Sequence, residues 1–306
     1  MENRELLAVV NDVWRTDFAS ARLLREGGSA SYVLEGQCGK FFLKDISPAF
    51  RSTAKQSLSI LNYLEQQDFP VPHIVRTASG ALFCEREGQF LVLFAYLEGG
   101  EPCEGADLRK IGALVGRMHR LMEKYPGELI PRGKPFFIDR YIEIMKKKGY
   151  DAAQTERFSE YGKELWSRVN GLPRGFCHGD LYRGNILRIG EGKYVVLDFD
   201  TACHAFPIFD IVVYCSGIDY FRYQKDGFAK TMRYDDEFLK GYITEREISR
   251  EELYALPDMM ALYHYELQAT IMEVYGLDCV DGAFFDAQFQ WLMRWEKESR
   301  AWKAAF

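Results

Sequence analysis

The sequence predicts an α+β protein in two lobes, strand-rich at the N-terminal end and helical after it. Three observations lead there. Short apolar runs separated by glycine turns fill the first hundred residues and enclose one helical stretch. From residue 107 onward apolar residues recur mostly at helical spacing. Between these regions "EGGEP", at 98–102, interrupts both patterns. The border therefore falls near Tyr96–Gly100, giving a first lobe over 1–95, a second over 96–306 and a hinge at about 95–100.

The elements follow in order. "MENRELLAVVNDVW" reads as an amphipathic helix with its own packing role, and it lacks the basic and apolar regions of a signal peptide. "ARLLRE" and "SYVLEG" read as strands around "GGSA", and "KFFLK" as a third strand after the turn "GQCG". "STAKQSLSILNYLEQQ" is helical and is stopped by "DFPVP"; "GALFCE" and "QFLVLFAYLEGGEP" are two further strands. In "DLRKIGALVGRMHRLM" the residues Leu108, Ile111, Leu114, Val115, Met118 and Met122 share a helix face. A long helical region is expected over about 136–170, then strands "NILRI" and "YVVLD" around "GEGK", then helix from about 230 to the end.

Composition bounds the function. Of 306 residues, 47% are apolar, 15% aromatic and 27% charged, which describes a soluble globular protein. No apolar run is long enough to span a membrane, so no membrane partner is expected. The net charge of −6 argues against nucleic acid as a partner. Seven cysteines form no CxxC pair, which suits buried thiols in a reducing cytoplasm rather than disulfides or zinc. From Ser216 to Phe306 there are 17 acids and 11 bases, so the whole net charge resides there. Nothing in the sequence fixes an oligomeric state.

"CHGDLYRGNIL", Cys177 to Leu187, carries the chemistry. Its H-x-D-L-x-x-x-N spacing is that of the protein-kinase catalytic loop, with Gly179 in place of arginine. Phosphoryl transfer needs a carboxylate near the acceptor hydroxyl and oxygen ligands for Mg²⁺ close by. Asp180 fits the base, Asn185 a metal ligand, and His178 a residue that holds the loop by hydrogen bonds. "YVVLDFDTA" then sets Asp198 after an apolar strand, where kinases keep the metal-binding Asp of D-F-G; here the triplet is Asp198-Phe199-Asp200. Lys44 ends the strand "KFFLK", from which it can reach nucleotide phosphates. In "EGGSAS", the backbone at Gly28 and the Ser29 hydroxyl can cover phosphates. In "LFAYLEGG", Phe94 would back an adenine pocket, with Ala95 and Leu97 as backbone partners. Each feature alone also suits an ordinary turn, strand end or connection; the conjunction in this order does not.

Together, "HGDLYRGNIL", "VLDFDTA", Asp210 in "PIFDI", the hinge "FAYLEGGEP", the helix "IGALVGRMHRLM" and "PVP" resemble the aminoglycoside phosphotransferase and choline kinase family over roughly residues 20–270. The resemblance implies a bilobal protein-kinase-like fold, ATP and Mg²⁺ as cofactors, and transfer of the γ-phosphate to a hydroxyl of a small molecule such as an aminoglycoside, amino alcohol or sugar. One departure stands out. Kinases pair the strand lysine with a helix glutamate, yet no acid lies between Asp45 and Glu65, and Ser57 falls where the glutamate would be. Lys44 is therefore expected to reach Asp198 or phosphates instead.

Three alternatives can be compared. A protein kinase of the same fold would need a long activation segment ending in A-P-E; only residues 199–209 separate Asp198 from Asp210 and no APE follows. A metallophosphatase draws its ligands from well-separated loops, whereas "HGD" and "GN" share one. A pseudokinase suits the missing helix glutamate but not the presence of Asp180, Asn185 and Asp198 together. Two geometric expectations complete the reading. A hairpin turning at "GEGK" should set Asn185 directly opposite Asp198, so that both reach one metal site. Aromatics among the late acids (Tyr220, Tyr263, Tyr265, Tyr275, Trp291) would favour a cationic acceptor.

Overall fold

A computed structural model describes residues 3–25, 29–86 and 88–306 of the chain, so Gly28 lies outside the described residues. The chain divides into two units: Met1–Pro102 with Tyr125–Glu128 and Gly184–Thr201, and Cys103–Lys124 with Leu129–Arg183 and Ala202–Phe306.

The first unit is built on an antiparallel sheet. Its strands are β1 (Phe18–Arg25), β2 (Ser29–Gly36), β3 (Gly39–Ile46), β4 (Cys84–Arg86) and β5 (Gln89–Ala95), in the order β1-β2-β3-β5-β4. Strand alternation sorts the side chains. Leu34, Leu43, Leu91 and Leu93 fall on one face and pack with Leu6, Val10 and Trp14 of helix α1 (Asn3–Trp14). Those three recur every four residues, which makes α1 a helix with one apolar stripe. Burial of each contributes about 1.5–3 kcal/mol. Asn11 fixes the exit from α1: its Oδ1 accepts from the Phe18 N–H at 2.8 Å and its Nδ2 donates to the Phe18 carbonyl at 3.0 Å. Lys44, one residue from Leu43 on β3, consequently projects from the face opposite α1. Helix α2 (Arg51–Gln66) packs on the short turn Phe199–Thr201. β5 stops at Ala95, earlier than the apolar run suggested, and β4 keeps only Cys84 and Glu85 of its expected strand.

The second unit is helical. It begins with α3 (Leu108–Met122), α4 (Arg140–Lys148) and α5 (Ala152–Val169), followed by β6 (Gly175–Cys177). The helical region expected over about 136–170 is made of three pieces. A π-helical turn spans Pro135–Asp139, and Gly149, at φ +70°, ends α4 before Asp151 caps α5. On α3, Leu108, Ile111, Val115, Met118 and Met122 are buried as expected, while Leu114 is half-buried and Gly112 and Gly116 join the buried face.

The chain then returns to the first unit as the hairpin β7 (Ile186–Gly190) and β8 (Lys193–Val196). Gly100 and Arg188 exchange backbone hydrogen bonds of 3.2 and 2.8 Å there. A Cβ on Gly99 would lie 2.5 Å from the Arg188 carbonyl oxygen, so this approach explains the glycine at the expected hinge. Back in the second unit, β9 (Cys203–Ala205) pairs with β6, and α6 (Pro207–Cys215), α7 (Gly227–Tyr242), α8 (Arg250–Tyr254), α9 (Leu256–Tyr275) and α10 (Gly282–Ala305) complete it. α7 crosses α3 closely enough that a Cβ on Gly241 would sit 1.8 Å from the Arg109 carbonyl oxygen. No helix among the described residues is long and apolar enough to cross a membrane.

Candidate active site

In the first unit Lys44 and Asp198, 154 residues apart in sequence, meet with Nζ 3.2 Å from Oδ1. Asp200 Oδ2 is closer, 2.5 Å from the same Nζ. Burial pulls the Lys44 ammonium down, but the charges of Asp200 and Asp198 outweigh it and its pKa is raised, so it stays a cation. Lys44 is flanked in the sheet by Ser31 of β2 and Val92 of β5.

The hairpin turns where its glycines predict, with Gly190 opposite Lys193 and Gly192 at φ +64°. The expected facing of Asn185 and Asp198 does not hold. An irregularity between Arg188 and Gly190 leaves Ile189 as an extra residue, so Ile186 faces Val196 and Asn185 comes opposite Leu197. Asp198 is outside the strand, at φ +57°. The left-handed backbone is one that aspartate tolerates better than most residues. Asn185 is buried at 6% exposure. The carboxamide oxygen of Asn185 and the carboxylate of Asp198 are oxygen donors, the type that Mg²⁺ takes.

The other residues expected to meet a nucleotide are spread along the sheet and its exit. Phe94 is buried and tilts against Phe42, with ring centres 6.2 Å apart. The Ala95 N–H donates to the His73 carbonyl at 3.0 Å, so an adenine partner at Ala95 would have to meet its carbonyl. Leu97 is half-buried just beyond β5, and Ser29 opens β2 opposite Ile46.

In the second unit the catalytic-loop motif hangs from one buried carboxylate. Asp210, on α6, is fully buried. Its oxygens accept from the backbone N–H of His178 at 2.6 Å, the N–H of Gly179 at 2.9 Å and the Cys177 thiol at 3.2 Å. His119 Nε2 lies 3.0 Å from the same carboxylate, and its Nδ1 is 2.7 Å from the Tyr242 hydroxyl. Burial pushes the Asp210 carboxyl up, but His119, His178 and the Gly179 amide more than offset it, and its pKa is lowered. The loop is thus held through the backbone of His178, whose ring is buried. Gly179, at φ +82°, takes a turn that the usual arginine would strain.

Asp180 is half-buried on this loop, its carbonyl accepting from the Tyr182 N–H at 3.0 Å. Tyr263 lies in the field of Asp180. Burial raises its phenol pKa, and the charges of Glu266, Asp180 and Tyr182 raise it further. Glu266, itself buried, accepts from Arg140 at 3.1 Å and Thr270 at 2.8 Å. Of the aromatics expected to favour a cation, Tyr220, Tyr263, Tyr265 and Trp291 are core residues and Tyr275 is exposed on the surface; Tyr263 feels the charge of Asp180.

The model of the phosphotransferase enzyme family matches residues 20–255. The chain belongs to that family. A homoserine kinase of Sinorhizobium medicae (strain WSM419) is 28% identical over 211 residues, 65% of this chain and 62% of the relative, so the match spans under two thirds of that protein's length. Among solved structures, an amicoumacin kinase in complex with AMP-PNP and Ca²⁺ superposes with a TM-score of 0.78 at 20% identity, covering 97% of this chain and 94% of the other. A microcompartment-associated aminopropanol kinase gives 0.74 at 18% identity, covering 99% and 98%. These neighbours share the protein-kinase-like fold.

Two residues of this phosphotransferase were not singled out from the sequence. Asp200 carried a signal: an acid two residues after Asp198 in a chain with none at 46–64. His119 carried none, because a histidine on an apolar helix face looks like any core residue.

Proposed function

We propose that this phosphotransferase uses ATP and Mg²⁺ to phosphorylate a hydroxyl of a small molecule that also bears an amine. The observation that carries the reading is the convergence of Lys44 and Asp198 at 3.2 Å from distant parts of the chain. It pairs a phosphate-binding cation with a metal-binding carboxylate. Lys44 would bind the nucleotide phosphates, Asn185 and Asp198 would hold Mg²⁺, and Ala95 and Leu97 at the hinge would orient adenine against Phe94. Bound there, Mg²⁺ supplies charge neutralisation on the phosphate oxygens. Asp180 orients the acceptor hydroxyl and takes its proton late, and Asp210 keeps that loop in place. Most of the rate then comes from positioning.

The amine is supported by the relatives. Homoserine and aminopropanol both carry an amine and a hydroxyl, and the net negative charge of residues 216–306 would favour such a cation. The proposed compartment is the cytoplasm, which suits seven free cysteines. The test is ATP consumption over a panel of amino alcohols, amino acids, aminoglycosides and neutral sugars, with the product identified by phosphorus NMR. Turnover confined to acceptors that carry no amine would refute the proposed amine. Nucleotide binding with no turnover on any acceptor, protein hydroxyls included, would favour a nucleotide-binding module.

A further inference from the structure

We infer that Asp200 positions Lys44, in place of the helix glutamate that holds the corresponding lysine in protein kinases; the inference rests on the nucleotide role proposed for Lys44. Three observations support it. The buried face of α2 consists of Ala54, Ser57, Leu58, Ile60, Leu61 and Leu64, and the chain has no acid from 46 to 64. The side chain of Lys44 is only 17% exposed, so its ammonium needs a fixed partner. Asp200 supplies one at 2.5 Å, nearer than Asp198 at 3.2 Å. The turn Phe199–Thr201 that presents Asp200 is pinned by fully buried Phe199 and by the packing of α2 upon it.

Two carboxylates at one lysine have separable duties. Asp198 is the residue whose oxygens are wanted by a metal. If it were the sole partner, engaging a cation there would weaken the hold on Lys44. Asp200 keeps the ammonium in place when Asp198 is engaged. The arrangement also has a regulatory consequence. In protein kinases the lysine–glutamate pair forms only when the helix is in position, and activation exploits this. Here the partner is two residues from the metal-binding aspartate on the same turn. The two assemble together, so Lys44 has no need of a carboxylate delivered by α2.

A double-mutant cycle tests this. Binding of ADP with Mg²⁺ is measured by calorimetry for the wild type, Asp200→Asn, Lys44→Met and the double variant, together with kcat and KM for ATP on whichever acceptor turns over. Asp200→Asn should weaken nucleotide binding about tenfold, and the double variant should bind no more weakly than Lys44→Met alone, a coupling of ordinary size for a contacting pair. Asp200→Glu should recover part of the loss, which a purely structural role would not predict. Asp200→Ala gives the same reading if the amide variant does not fold. Losses that simply add, or an Asp200→Asn variant that binds like wild type, would overturn the inference while leaving the kinase reading intact. A wild-type protein that binds no Mg-ADP would overturn both.

Discussion

The N–H of Leu197 donates to the carbonyl of Asn185 at 2.9 Å, so Asn185 faces Leu197 and Asp198 comes one residue later. In a regular strand the next side chain points to the other face. Asp198 lies where that alternation no longer applies: β8 ends at Val196, and Asp198 has left the strand with φ +57°. Asn185 and Asp198 thus stand at the same end of the hairpin, one residue out of register.

Asp198→Gly should therefore separate activity from stability. Glycine takes the left-handed backbone without cost, a relief of about 1 kcal/mol, and Lys44 keeps Asp200 as a partner. Turnover should fall by about a thousandfold or more through loss of a charged ligand at the transferring phosphoryl group. Thermal unfolding should be unchanged within about 2 °C. A large drop in melting temperature would show that the Lys44–Asp198 pair is structural.

What was legible in the sequence and what was not follows from the same hairpin. "GEGK" between apolar runs fixes a turn, because glycine chemistry is local. A single extra residue at Ile189 changes the facing of every pair beyond it, and no local pattern announces it. The sheet and α2 were readable from periodicity. The break at Gly149 was not, since helical periodicity continues on both sides of it. Spacing alone brought out Asp180, Asn185 and Asp198. Asp210 entered through family likeness, but its service as acceptor for the loop backbone is visible only in three dimensions.

Asp180→Asn should lower kcat by about a hundred- to ten-thousandfold, the usual worth of a positioned base. The dissociation constant for Mg-ATP should stay within about threefold, because the role given to Asp180 is toward the acceptor. Stopped-flow or calorimetric nucleotide binding beside steady-state kinetics would check it. A matching loss in nucleotide affinity would move Asp180 to the metal side of the reaction.

Asp210→Asn should reach the active site through the backbone. The carboxylate accepts from two loop amides, and the amide that replaces it can present only one oxygen to them. A loss of about 3 kcal/mol is expected from the buried charged hydrogen bonds. The sign with pH follows from the lowered pKa of Asp210. Its contribution is present above the unfolded value of 3.8 and is lost as pH falls through the folded one. The gap in melting temperature between wild type and variant should therefore be wide at pH 7 and narrow below about pH 4. A gap that does not change with pH would mean that the Asp210 charge is not what holds the loop.

Asp235, on α7, gives the opposite slope. It is 2% exposed, and its oxygens meet no hydrogen-bond partner among the described residues except the weak thiol of Cys215. Burial pushes its carboxyl up to about 8. Between the unfolded value of 3.8 and the folded value of about 8, the folded state holds a proton that the unfolded state has released. Stability from this group consequently falls as pH rises through that window. Burial raises the Cys215 thiol and the Tyr220 phenol well above their ordinary values and lowers the His264 ring to about 3, so none of the three changes charge in the folded protein across that window, and the unfolded-state titration of His264 is common to wild type and variant. Asp235→Asn removes the titration and keeps the shape. Its melting temperature relative to wild type should rise steadily from pH 5 to pH 8, by roughly 5 °C or more, and level off above. Calorimetry at four or five pH values would show this, and a difference independent of pH would mean that Asp235 is ionised and paired in the folded protein.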